Sequence, residues 1–201
     1  MTEECKCSHK GRTRKVICTC IPIFLLLVGA TALTLWLVYR PHNPQFKVIG
    51  TTIYELNSSA APLVTTSMQF TVVTRNPNKR ISIYYDSLSI SVWYRNQAIT
   101  PKVMLPPFFH KHHRIVTVSP VVCGGEIPTS VEVANGLVMD EAYGVMGLSL
   151  VLMGRLRWQV GAIKTAHYGI YVKCDVLLDL KKGFVGQVPL LGSPAGCKVD
   201  I

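Results

Sequence analysis

Three histidines crowd the stretch "FFHKHHR" at residues 108–114. On a strand, His110 and His112 would share one face, the spacing of a two-ligand metal site. Yet Lys111 and Arg114 flank them, and no carboxylate lies nearby in sequence to offset the repulsion of protonated imidazoles. The stretch therefore reads as an exposed basic loop with no metal. Its functional alternative is a pH-responsive contact made by His110, His112 and His113, because histidine changes charge between about pH 5 and 8.

A second group of chemically capable residues is "NPNKRISIYYD", residues 76–86. Asn76-Pro77-Asn78 suits a tight corner, since proline presets φ and asparagine tolerates the left-handed region. This predicts a positive φ at Asn78. Ile81 and Ile83 restart a period-two alternation with Tyr85 in phase and Tyr84 on the other side. A tyrosine hydroxyl fixing a sandwich corner is a known structural device, with Asp86 as its acceptor or as the cap of a bend. The alternatives are a recognition surface and catalysis, and the corner is the reading adopted.

Sites for catalysis are otherwise missing. Gly147-Leu148-Ser149-Leu150-Val151 lacks the last glycine of a nucleophile elbow, and its serine falls mid-strand. No dinucleotide fingerprint, phosphate loop or H-E-x-x-H occurs. Nine acids beyond residue 40 are scattered, with no pair set for general acid–base work. The expectation is a protein that is not an enzyme and needs no cofactor.

The cysteines divide into two sets. Cys5, Cys7, Cys18 and Cys20 form two C-x-C pairs. Zinc is a poor fit at a membrane boundary, so these are candidates for S-palmitoylation. Cys123, Cys174 and Cys197 lie beyond the apolar run, where an oxidising compartment favours pairing. In "HYGIYVKCDVLLDL", Cys174 shares the inward face with Ile170, Val172 and Val176, and Cys197 lies on the returning C-terminal segment. A Cys174–Cys197 disulfide is expected, closing about two dozen residues for about 3 kcal/mol, with Cys123 left free. Asn57-Ser58-Ser59 is the one N-glycosylation sequon, which makes Asn57 a candidate acceptor.

What positions these residues begins with residues 16–39, 24 in a row without a charge. As a helix they span roughly 36 Å, more than the ~30 Å of bilayer hydrocarbon. Trp36 and Tyr39 suit the headgroup level, and Arg40-Pro41 stops the helix. Five basic residues precede the run, and only Arg40 and Lys47 follow closely. This orients the N-terminus to the cytosol and the remainder outside. Ala30-Thr31-Ala32 offers a signal-peptidase site, but the apolar run continues past it, which favours an uncleaved anchor. The C-terminal "CKVDI" has no hydrophobic tail for a lipid anchor. The expected organisation is a basic tail over 1–15, a membrane helix over 16–39 and an exoplasmic domain over 41–201.

The net charge of +10 includes the basic tail; residues 41–201 hold 15 basic and nine acidic side chains. Without an arginine-rich helix or an aromatic–basic sheet motif, nucleic acid is not an expected partner. Alternation dominates this part. Leu88, Ile90, Val92 and Tyr94 interleave with serines and Trp93, while Leu148, Leu150, Leu152, Leu156, Trp158 and Val160 share one face opposite Arg155, Arg157 and Gln159. One segment, "PTSVEVANGLVMDEAYG", has Thr129 and Glu132 at capping-box spacing and Gly144 as its stop. The fold class is mainly β: a single transmembrane helix, then an antiparallel fibronectin- or immunoglobulin-like sandwich with one short helix.

The order of "YRPHNPQF", "NPNKRISIYYD", "YRNQAIT", "LPPFFHKHH", "GRLRWQVG" and "YVKCDV" after one membrane helix resembles the plant NHL family. These are the non-race-specific-disease-resistance and harpin-induced-like proteins, whose outer part is a late-embryogenesis-abundant group 2 domain. Where that family often shows a Y-Q-x-H-type stretch after Pro-Pro, this chain has Phe108–His113. The resemblance implies a seven-stranded sandwich and roles in defence, senescence or stress signalling at the plasma membrane or plasmodesmata. The implied partners are the membrane and other membrane or cell-wall-side proteins, and self-association is left open. The rival function is a lipid- or small-hydrophobe-binding domain with a cleft between its sheets.

Overall fold

A computed structural model of the chain describes residues 8–38, 40–57, 63–180, 186–192 and 196–201. Two compact units result, Met1–Arg40 and Pro41–Ile201. In the first, α1 (Ser8–Val38) begins ahead of the apolar run, so the later part of the basic tail is helical. Every described side chain over residues 21–34, with Trp36 and Leu37, is exposed. Among the described residues no helix is long and apolar enough to cross a membrane, and the span expected over residues 16–39 remains a reading of the sequence. Cys5 and Cys7 lie outside the described residues, and Cys18 and Cys20 fall within α1.

The second unit is two antiparallel sheets. In chain order its strands are β1 (Gln45–Asn57), β2 (Leu63–Arg75), β3 (Ser82–Tyr94), β4 (Gln97–Ala98), β5 (Val103–Leu105), β6 (Phe108–His110), β7 (Ile115–Val118) and β8 (Val121–Pro128). After α2 (Val131–Tyr143) come β9 (Val145–Val160), β10 (Ile163–Lys164), β11 (Tyr168–Asp179), β12 (Gly186–Val188) and β13 (Lys198–Asp200). One sheet runs β12-β1-β2-β7, with β8 also on β2. The other runs β13-β11-β9-β3-β4, with β5 and β6 on β3 and β10 on β9. The seven strands implied by the family resemblance become thirteen among the described residues. Pro101, Pro106-Pro107 and Pro120 interrupt the partners of β3 and β2, because proline cannot donate to a ladder.

Period-two sequence makes this architecture. On β2 the burial alternates along its whole length, and Met68, Phe70 and Val72 face the core. They meet Ile83, Tyr85, Leu88, Ile90, Leu150, Leu152 and Leu156 from the opposite sheet in one cluster. The inward set of β3 changes parity between Tyr85 and Leu88, because a bulge there leaves Asp86 and Ser87 both outward. Across from it stands Gly154, where an added Cβ would sit 2.0 Å from the Ser87 carbonyl oxygen. The bulge therefore requires that glycine.

α2 starts at Ser130, whose hydroxyl accepts from the Val133 N–H, so the cap lies one residue after the expected Thr129. It stops at Gly144 (φ 79°), as expected, and the Gly144 carbonyl accepts from Leu180 N–H at 2.7 Å. A disulfide joins Cys174 to Cys197 with Cα atoms 4.3 Å apart, and Cys123 is a free, exposed cysteine.

Candidate functional site: the end where the chain joins the sandwich

Register places the start of β1, the end of β2, the start of β3 and the β9–β10 turn together at one end of the sandwich. This proximal end receives the chain from residues 41–44. Asn78 grips that arriving segment: its Oδ1 accepts from His42 N–H at 2.8 Å, and its Nδ2 donates to the His42 carbonyl at 2.8 Å. Asn76 locks Asn78 in turn, with Oδ1 accepting from Asn78 N–H (3.0 Å) and Nδ2–H (2.9 Å). The Asn76 amide also donates to the Ile81 carbonyl at 2.9 Å. Both asparagines are buried.

The N-P-N stretch is thus a corner, as its residues indicate, but by another means than expected. Asn78 is not among the positive-φ residues, which apart from glycines are Arg95, Asn96 and His113 among the described residues. Its amide is shared between Asn76 in its own turn and the distant backbone of His42.

Tyr85 also acts differently from the expectation. Tyr85 is fully buried, stacked on Phe108 at 4.5 Å and edge-on to Phe46 at 6.4 Å. Among the described residues its hydroxyl has no hydrogen-bond partner in good geometry, and neither does that of Thr74. Burial pushes the phenol far above its ordinary pKa, and the neighbouring Thr74 hydroxyl opposes this. Asp86 does not receive that hydroxyl. Turned outward by the bulge, it accepts two hydrogen bonds from the Arg157 guanidinium and lies 3.5 Å from His167 Nε2. Arg157 and Lys164 each stand over the Tyr84 ring, at 5.3 and 5.1 Å.

The histidine stretch splits. His110 closes β6 and is fully buried, so it is not part of an exposed loop. Its Nε2 lies 2.8 Å from the Arg114 carbonyl, which can only accept, so Nε2 carries the proton and Nδ1 is a buried acceptor without a partner. Burial holds its pKa below the usual histidine value, although the Arg114 bond opposes this. His112 and His113 occupy the turn that follows, so His110 and His112 do not share a strand face. His113 has φ 56°, and its N–H donates to the Asn78 carbonyl at 3.1 Å. Among the described residues no three His, Cys, Asp or Glu side chains group to hold a metal.

Two further sites deserve placement. Asn57 is the exposed last residue of β1; Ser58 and Ser59 lie outside the described residues. Ser149 donates to Asp175 at 2.6 Å on the outer face of β9 and β11, toward the opposite end from the sandwich's histidines. What sequence reasoning missed at the proximal end is His42, His167, Arg157 and Lys164. Each converges from a distant strand or loop, and no local spacing announces it.

Residues 71–174 match the family model described as late embryogenesis abundant protein. The chain is similar to three proteins of Arabidopsis thaliana. NDR1/HIN1-like protein 12 is 35% identical over 89% of this chain and 87% of that protein. NDR1/HIN1-like protein 1 is 33% identical over 86% of each. NDR1/HIN1-like protein 26 is 31% identical over 96% of this chain and 92% of that one. A solution structure of another Arabidopsis thaliana protein covers 70% of this chain at 12% identity, with a TM-score of 0.39, too low to carry any argument. On the relatives and the domain match, the chain belongs to the NDR1/HIN1-like family and carries its late-embryogenesis-abundant group 2 domain.

Proposed function

We propose that the protein is a membrane-anchored, non-enzymatic interaction module acting in plant defence, senescence or stress signalling at the plasma membrane or plasmodesmata. The observation that carries the anchor is the character of α1. Over residues 21–34 it is apolar on every side and exposed on every side, a surface that water does not tolerate and lipid does. Family membership supports the defence assignment. The non-enzymatic reading rests on the placement of reactive groups: Ser149 pairs with a carboxylate, while the histidines that could serve it as a base are gathered at the other end.

The lipid-carrier reading needs a cavity between the sheets. The void lined by Phe46, Val72, Leu88, Ile90, Phe108 and Leu152 measures about 10 Å³, room for one water and no acyl chain. Side chains fill that space, which disfavours a ligand between the sheets; the open cleft of about 470 Å³ at the β1–β12 edge, lined by Ile49, Thr51, Gln187, Val188 and Leu190, is the place where a carried hydrophobe would have to sit instead.

The test has two parts. Protease added to intact protoplasts should remove a C-terminal tag and spare an N-terminal one; the reverse pattern overturns the orientation, and survival of both tags in a soluble fraction overturns the anchor. Proximity labelling from the C-terminus should then mark other membrane or wall-side proteins. Purification with stoichiometric bound lipid would favour the carrier instead.

A further inference from the structure

The proximal end of the sandwich gathers charges of one sign. Arg75, Lys79, Arg80, Lys111, Arg114 and Lys164 stand there, all exposed. They come from three separate segments that register brings together. Arg75 pairs with Ile115, next to Arg114, while Ser82 and Lys164 both pair with Gln159. Among the described residues none of the six is in an ion pair. The acid in their midst is Asp86, and Arg157 and His167 already engage it. A fixed excess of this kind raises the local concentration of anions.

The neighbours of these cations select the kind of anion. Arg157 is the guanidinium set on the sheet to fork onto a carboxylate, and it already bonds Asp86 through two nitrogens. The free cations are instead separate point charges on three segments, which suits a ligand carrying its charges at intervals along its length. An aromatic row adjoins them. Register sets Phe109, Tyr84 and Arg157 side by side on the outer face of β6, β3 and β9, across about 10 Å. Arg157 and Lys164 cover the Tyr84 ring, which leaves Phe109, 48% exposed, as the open one. In the next row exposed Arg155 stands between Ser87 and Gly169, and a Cβ on Gly169 would meet nothing within 4 Å. An open ring and an open shelf beside free cations fit the apolar C–H face of a pyranose that carries a carboxylate. Polyglutamate or inorganic polyphosphate would reward the cations and gain nothing from the ring.

We infer that the proximal end of the sandwich binds a polyuronate, an acidic polysaccharide with a carboxylate on each sugar. The carboxylates meet the six free cations and a sugar face lies on Phe109. The inference gives the interaction reading above a partner class and rests on it for the compartment, since such a polymer is met outside the cell. The contact itself is made by the sandwich alone. Each exposed charge pair is weak, and affinity comes from several engaging one polymer at once. The attraction is screened as the Debye length falls from about 8 Å at physiological ionic strength to about 3 Å in 1 M salt.

The test uses the full chain in detergent micelles and a fluorescent oligogalacturonate of about a dozen sugars, read by anisotropy. The same oligomer with its carboxylates methyl-esterified should bind at least about tenfold more weakly. Raising the salt to about 1 M should erase binding of the free acid. The quadruple variant K79E/R80E/K111E/R114E should match the loss seen on esterification, at an unchanged melting temperature. Should that variant melt early, K79Q/R80Q/K111Q/R114Q takes its place with the same direction of change. Phe109→Ser should weaken the oligogalacturonate a few-fold and leave polyglutamate of equal charge unaffected. Equal binding of acid and ester overturns the inference, as does no binding of either. Polyglutamate bound more tightly than the oligogalacturonate at equal charge also overturns it, and makes the partner an acidic peptide. Topology is read separately by the protease experiment above. A cytosolic sandwich would overturn the interaction reading whether or not the oligomer binds, whereas an exoplasmic sandwich that fails to bind overturns this inference alone.

Discussion

At the proximal end, Asn78 holds the backbone of His42 through two 2.8 Å bonds, and no formal charge takes part. At the distal end, α2 is latched by Tyr94, whose hydroxyl donates to Asp140 at 2.8 Å while Arg95 lies 3.7 Å from the same carboxylate. Arg95 also stands over the Tyr94 ring at 5.1 Å, and Gly136 of α2 admits both groups, since a Cβ there would come within 2.8 Å of each. The difference has a physical logic. The proximal clamp is a neutral amide, whereas the distal latch combines a phenol with a charged pair. Salt should therefore leave the clamp unchanged and weaken the latch.

Breaking the amide clamp should have the largest effect. Asn78→Ala strands the His42 N–H and carbonyl and removes both of the bonds that Asn78 donates to Asn76 or His42 through its amide. A loss of about 3 kcal/mol is expected in urea unfolding followed by tryptophan fluorescence, and it should not change with salt. A loss below about 1 kcal/mol would mean that water replaces the clamp and that the comparison of the two ends is wrong.

The latch should cost less. Tyr94→Phe removes one bond to a charged acceptor, worth about 1.5–2 kcal/mol. It also carries a signature in alkali. Burial, then Asp140, push the Tyr94 phenol up to about 12. The folded state thus holds its proton more tightly than the unfolded chain, whose tyrosines ionise near 10. That stability is complete below about pH 10 and is lost as pH rises toward 12. The variant should show a shallower alkaline decline, with the remainder traceable in part to Tyr85; an unchanged slope would sink the latch.

Acid should separate the ends. The folded state holds His110 neutral, with its pKa depressed chiefly by burial. Its contribution is present above the unfolded value of about 6.5 and is lost as pH falls through the lower folded value. Amides at 76–81 and 111–114 should exchange faster on acidification while those of α2 do not. His110→Gln, which can still donate to Arg114, should flatten that response.

How much of this was legible in the sequence follows from the range of each contact. Period-two runs expose which face of β2, β9 and β11 is buried, because the two faces of a strand differ within a few residues. Gly144 and the Cys174 face are equally local. The Asn78 role is not, since its partner His42 is 36 residues away. His110 looks solvated among Lys111, His112 and Arg114, and only the pairing with Ile83 turns it inward. The bulge at Asp86 is written in the parity change between Tyr85 and Leu88, but its consequence, the Arg157 pair, depends on a strand 71 residues on.

The smallest expected effect is the most discriminating for the corner itself. A tyrosine that fixes a corner loses about 1 kcal/mol when its hydroxyl is deleted. Here the Tyr85 hydroxyl is fully buried and unpartnered, so Tyr85→Phe removes a desolvated polar group while the contacts with Phe46 and Phe108 persist. Stability should stay level or rise by up to about 1 kcal/mol, because an unsatisfied buried group is a cost in the wild type. The alternative is specific. Thr74 is the neighbouring hydroxyl, and its effect on the Tyr85 phenol opposes that of burial. A hydrogen bond between the Tyr85 and Thr74 hydroxyls would make Tyr85→Phe destabilising and would make Thr74→Val cost a similar amount, with the double variant no worse than either single one. Two neutral single variants keep the corner with the asparagines; two coupled losses return the tyrosine to it.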